Sequence, residues 1–186
     1  MYPHNHGALS NDKMRESLLE DLYFGRLAGQ GYRNVYVGKW HAGPGTAYDY
    51  GCEGYSYPLY GNPYVTDEYR AYLKQKELPV ARFAIERRFW AELPESGEYT
   101  CEKPNWCNEH ASGLMLTPRE THESFFLADM ACNWLRELAV SDRPFALRVD
   151  FWGPHQPYFP THEFADLYLP EAIPEYGSFR DDLKQK

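Results

Sequence analysis

Three residues of this chain have the type and setting to handle a tetrahedral oxyanion: Lys39, His41 and His155. Lysine offers a compact point charge suited to sulfate or phosphate oxygens. Histidine titrates near neutrality, so His41 and His155 can pass protons to or from a reacting oxygen. The first two lie in Val37-Gly38-Lys39-Trp40-His41, the third in Trp152-Gly153-Pro154-His155-Gln156-Pro157. Gly38 allows close approach of backbone or ligand, and Pro154 and Pro157 stiffen the loop that presents His155. Singly, such residues are usually a solvated loop lysine and structural histidines. Their joint placement, just past the ends of two expected strands, gives them weight.

Those strands must position the trio. Ser10-Asn11-Asp12 is a helix cap, followed by Leu18, Leu19, Leu22, Tyr23 and Leu27 at helical spacing, with Gly29 and Gly31 as the stop. Tyr32 to Val37 then reads as a buried strand ending at Gly38. Further on, Thr117-Pro118-Arg119-Glu120 opens a helix whose apolar residues run from Phe125 to Leu138, with the proline in the tolerant first turn. Phe145 to Phe151 is the strand that follows it. Two helix–strand units predict an α/β fold with a mostly parallel sheet. In such sheets ligands bind at the carboxyl ends of the strands. If these two strands lie near one another, the trio converges on one crevice.

Between the two units, residues 43–64 hold five Gly, three Pro and six Tyr without a clean period, and read as an ordered loop. Tyr69 to Lys76 predicts a short helix. Residues 79–118 read as irregular, with one amphipathic turn around Phe83 to Trp90. The stretch 43–118 is therefore expected to be a loop-rich insertion or lid on a single partial domain, 1–186.

Composition narrows the partners. A net charge of −8 across 186 residues, with no basic stripe or tail, argues against nucleic acid and anionic membrane surfaces. No apolar run approaches a membrane span of about 18 residues. Aromatic residues reach 17%, which suits sugar or aryl groups as well as a core. No leader is visible at Met1, and the compartment stays open. Cys101 and Cys107, with five residues between them and His110 behind, lack the tight paired spacing of structural zinc. A Cys101–Cys107 disulfide stays open if the protein is exported, and free thiols are the default otherwise.

Other motifs fail on their own requirements. Gly38-Lys39 is followed by Trp40, at the wrong glycine spacing for a phosphate loop. Gly29-x-Gly31 lacks a third glycine and precedes a strand. His122-Glu123 and His162-Glu163 have no second histidine four residues along, and no Gly-x-Ser-x-Gly elbow occurs.

The run from Leu27 through Gly31-Tyr32-Arg33-Asn34 to Gly38-Lys39-Trp40-His41 resembles the second signature of the sulfatase family, with Asn34 in place of the usual Thr or Ser. Asp49-Tyr50-Gly51-Cys52-Glu53-Gly54-Tyr55 is similar to the family's Gly-Phe-Asp-Gly segment. Pro144-Phe145 through Pro154-His155-Gln156-Pro157-Tyr158 resembles its later strand and Pro-His-x-Pro loop. Tyr2-Pro3-His4-Asn5-His6-Gly7 is similar to the stretch after the family's nucleophile motif. The resemblance implies part of an alkaline-phosphatase-like α/β/α sandwich and a sulfuric-ester hydrolase acting on a small-molecule or carbohydrate sulfate ester. It further implies that Lys39 binds the sulfate and the nucleophile's oxygen, and that His41 helps release sulfate from a covalent intermediate. His155 would hold a sulfate oxygen and help protonate the leaving alcohol, and Trp40 would join Lys39 and His155 in binding substrate.

The family also uses a formylglycine nucleophile and a calcium ion (Ca2+). No Cys or Ser here opens the Cys/Ser-x-Pro-x-Arg motif that formylglycine requires, and no acidic cluster supplies about six oxygen ligands for a hard dication. The chain is thus expected to hold a central piece of the enzyme and to be inert alone. Alternatives are a phosphodiester or phosphonate monoester hydrolase of the same superfamily, a non-catalytic module binding anions or sulfated glycans, and a remnant that does not fold.

Overall fold

A computed structural model describes residues 22–42, 45–58, 62–88, 97–100 and 111–181. In chain order its regular elements are α1 (Tyr23–Gly29), β1 (Arg33–Trp40), β2 (Glu53–Pro58), α2 (Asp67–Gln75), β3 (Arg82–Arg88), β4 (Gly97–Thr100), β5 (Ala111–Met115), α3 (Glu123–Leu138), β6 (Phe145–Asp150) and α4 (His162–Ala165). Short 3-10 turns occupy several of the connections.

α1 ends as its glycines require. Gly31 takes φ +84°, the Gly31 N–H donates to the Ala28 carbonyl, and the Tyr32 N–H reaches back to that of Leu27 at 3.0 Å. This left-handed closure satisfies carbonyls that the helix end would otherwise leave bare. The start of the expected helix, with its Ser10-Asn11-Asp12 cap, lies outside the described residues, as does Tyr2 to Gly7.

β1 is the middle strand of a parallel sheet in the order β2-β1-β6. A central parallel strand is covered on both faces, and β1 is buried from Asn34 to Trp40. Alternate side chains separate to the two faces. Val35 and Val37 pack with Phe126, Leu127 and Leu138 of α3, while Tyr36 and Trp40 pack with Phe24 of α1. The parallel sheet thus carries a helix on each face. At the amino end of the strands, Arg33 forks onto Glu53 of β2 (Nε–Oε1 2.7 Å, Nη2–Oε2 2.8 Å) and reaches Glu137 of α3 at 2.7 Å.

The expected loop-rich lid is more regular than its composition suggested. β2 lies within 43–64, and 79–118 contains an antiparallel sheet in the order β4-β3-β5. The amphipathic turn expected near Phe83 is a strand. Phe83 and Ile85 point inward at 0% and 3% exposure with Ala84 between them, a period of two rather than a helical one. Its pairing with β5, Phe83 opposite Met115, is long-range and leaves no local signal. Phe83, Ile85, Ala111 and Met115 belong to the same core cluster as Val35 and Val37, so the insertion shares the core of the parallel sheet.

The helix expected from Thr117 starts later. Residues 119–121 form a 3-10 turn, His122 is extended (ψ 144°), and α3 begins at Glu123. A helix through this point would need the Thr121 carbonyl, but the Tyr69 hydroxyl donates to it at 2.6 Å. The Phe125 N–H goes to His122 instead. Among the described residues no helix is long and apolar enough to cross a membrane.

Candidate functional site

β1 and β6 are neighbours, parallel and in register from Arg33 opposite Phe145 to Gly38 opposite Asp150. Their carboxyl ends therefore lie on one sheet edge, one carrying Lys39 to His41 and the other the loop with His155. On its other side β1 stays paired to β2 two residues further, to Trp40 opposite Pro58. Lys39 and Trp40 are thus inside the strand, not past its end as the sequence suggested, and only His41 follows it. Past Asp150 the β1–β6 pairing ends, and the segments with Lys39 to His41 and with His155 leave from the same edge of the sheet.

Gly38 makes this junction workable. Its φ of +128° lies where residues with a Cβ are strained, and a Cβ there would sit 1.9 Å from the Asp150 carbonyl oxygen. Glycine is required both for the bend and for the approach of the two strands.

Lys39 is 9% exposed. An ammonium that deep is stable only where acceptors or an anion meet it. His41 is half-buried. Trp40 is 2% exposed and set among aromatic rings, 5.1 Å from Tyr50 in a stack and 5.4 Å from Tyr36 edge-on. Its ring is core. Its indole N–H, also buried, finds no acceptor among the described residues.

His155 is half-buried in a loop fastened at both ends. Trp152 anchors its start, 4% exposed in the main core, and the Trp152 carbonyl accepts from the His155 N–H at 3.0 Å. The peptide bonds before Pro154 and Pro157 are cis. The chain then joins β5: Tyr158 N–H donates to Ala111, Gly113 N–H to Tyr158, and Met115 N–H to Pro160. His155 Nδ1 lies 2.7 Å from the Gln156 carbonyl, which only accepts, so Nδ1 carries a hydrogen.

Two residues at the junction escaped the sequence reading. The Tyr36 hydroxyl lies 2.5 Å from the Lys39 carbonyl and 2.5 Å from Asp150 Oδ2. Arg148 Nε holds both oxygens of that carboxylate, at 3.0 and 2.8 Å. Burial first, and the Asp150 hydrogen bond second, push the Tyr36 hydroxyl well above its ordinary range, so it is a neutral donor. The alternation Arg148-x-Asp150 at a strand end was the available signal.

Among the described residues no group of three His, Cys, Asp or Glu is placed to hold a metal ion. Calcium therefore does not fit the residues in view, and no step is assigned to it. Nor is one assigned to formylglycine, for which the chain has no acceptor motif. Cys52 is buried and its thiol pushed up to about 11 by burial, which makes it a poor nucleophile. Cys101, Cys107 and His110 lie outside the described residues. The described cavities are elsewhere: one of about 440 Å³ lies between α2 and α3, and another of about 350 Å³ sits beside His122 and Phe164.

Compared with known proteins, the chain matches no family model and no curated sequence.

Proposed function

We propose that the chain is part of a sulfuric-ester hydrolase of the sulfatase type, to which Lys39, His41 and His155 contribute the anion-holding and proton-transferring side of the site. The observation that carries this reading is the adjacency of β1 and β6 in parallel register at Gly38 and Asp150, which puts both oxyanion-suited segments at one edge of the sheet. In this reading the Lys39 ammonium meets sulfate oxygens from within the sheet edge, where low dielectric strengthens the contact. His155, with Nδ1 anchored on the Gln156 carbonyl, presents its ring to the ester's alcohol oxygen. His41, one residue past β1, serves proton transfer from the β1 side. Trp40 anchors this end of β1 by packing against Phe24, Tyr36 and Tyr50.

Calorimetric titration with 4-nitrophenyl sulfate and the matched phosphate ester tests the proposal. The chain binds the sulfate ester more tightly, and Lys39→Met, which keeps the side-chain bulk without the charge, abolishes binding. Binding unchanged in Lys39→Met, or no binding at all, overturns it. Tighter binding of the phosphate moves the assignment to a phosphoester hydrolase.

A further inference from the structure

The junction of β1 and β6 contains a cross-link that neither the oxyanion chemistry nor the strand ladder requires. The β1–β6 register ends at Gly38 and Asp150, while Lys39 stays opposite Tyr57 of β2. The Tyr36 hydroxyl meets the Lys39 carbonyl from within the same strand, three residues back, across the bend at Gly38. The same hydroxyl meets the carboxylate of Asp150, the last residue of β6. Asp150 is itself fixed by the Arg148 guanidinium. The Tyr36 ring is 2% exposed and wedged against Phe24 and Trp40, so the hydroxyl has little freedom to leave.

From this geometry we infer that Tyr36 and Asp150 are positioning residues, which tie the strand end bearing Lys39 and His41 to the strand end from which the His155 loop departs. The hydroxyl's single proton is shared between two acceptor oxygens at equal distance, so one group touches both strand ends. The inference rests on the proposed anion site for its purpose, but not for its geometry.

Two measurements on the full chain separate these. The first is amide hydrogen exchange of Tyr36→Phe, which keeps the ring and removes the hydroxyl. Exchange at Trp152 and His155 is expected to rise about tenfold, the scale of one lost hydrogen bond, while Val35 and Val37 in mid-strand stay within about twofold of wild type. Strand-end amides that do not change, or a uniform rise at all amides, overturn the inference. The second is titration with inorganic sulfate. Tyr36→Phe and Asp150→Ala weaken binding about tenfold, and Asp150→Asn, whose amide can still bond the hydroxyl, restores most of it. Wild-type affinity in Tyr36→Phe overturns the positioning role. Absence of sulfate binding by the wild-type chain overturns the functional reading, while the exchange pattern still decides whether Tyr36 and Asp150 fix the two strand ends.

Discussion

Tyr64 and Glu123 exchange two hydrogen bonds at the buried start of α3: the phenol donates to Glu123 Oε2 at 2.8 Å and accepts from the Glu123 N–H at 3.2 Å. Two more tyrosines act beside it. Tyr69 donates to the Thr121 carbonyl and Tyr72 to that of Glu120. Three phenols thus hold the turn that launches α3, and α3 in turn covers one face of β1 and β6.

Removing the Tyr64 hydroxyl leaves a buried carboxylate and a buried N–H without their partner. Tyr64→Phe is therefore expected to cost about 1–3 kcal/mol in urea unfolding, because stranding a buried polar group costs more than a hydrogen bond contributes. Tyr176→Phe is the control. Tyr176 is 83% exposed and the change should leave the midpoint unaltered.

Gly38→Ala places a methyl group against the Asp150 carbonyl in a backbone conformation that alanine resists. We expect a loss of at least about 2 kcal/mol in the same assay, combining strain with separation of β1 from β6. At Gly29, whose Cβ would meet nothing, alanine should be tolerated.

Alkali should unfold the protein through its buried phenols and thiol. Burial raises Cys52 from 9.0 to about 11 and Tyr72 from 10.0 to about 12, and it raises Tyr55, Tyr36 and Tyr64 as well. Each group is neutral in the fold at a pH where the unfolded chain has already released its proton. The unfolded state then binds fewer protons, so stability falls as pH rises. The loss should begin near pH 9 and continue to about pH 12, as followed by urea midpoints across that range. A midpoint constant from pH 9 to 11 would contradict this.

The cysteines should separate by rate. Cys132 is exposed on α3, whereas Cys52 is buried with a raised thiol. Under native conditions at pH 8, iodoacetamide should modify Cys132 at least about tenfold faster than Cys52, read peptide by peptide in a mass spectrometer. Equal rates would mean that Cys52 opens to solvent with the native sheet.

Much of the parallel core was legible because its signals are local. The glycine stop after α1, the valine-rich β1 and the apolar spacing of α3 all appear within a dozen residues of sequence. That the segments with Lys39, His41 and His155 leave from one sheet edge was expected from two helix–strand units, and the β1–β6 pairing places them there. β3 and β5 were not legible: a Phe83–Met115 pairing spans a stretch with no periodic guide. The end of β1 was misplaced because Gly38 reads as a stop, whereas the strand passes through it on a bend only glycine accepts. Tyr36 and Asp150 were missed because their roles exist only once β1 and β6 are side by side.

The bonds from Tyr158 and Pro160 to β5 also have a mechanical meaning. His155 stands on a short tether, with one end at Trp152 in the core and the other stitched to the antiparallel sheet. The loop that carries His155 is therefore secured by backbone to a different sheet from the one that carries Lys39.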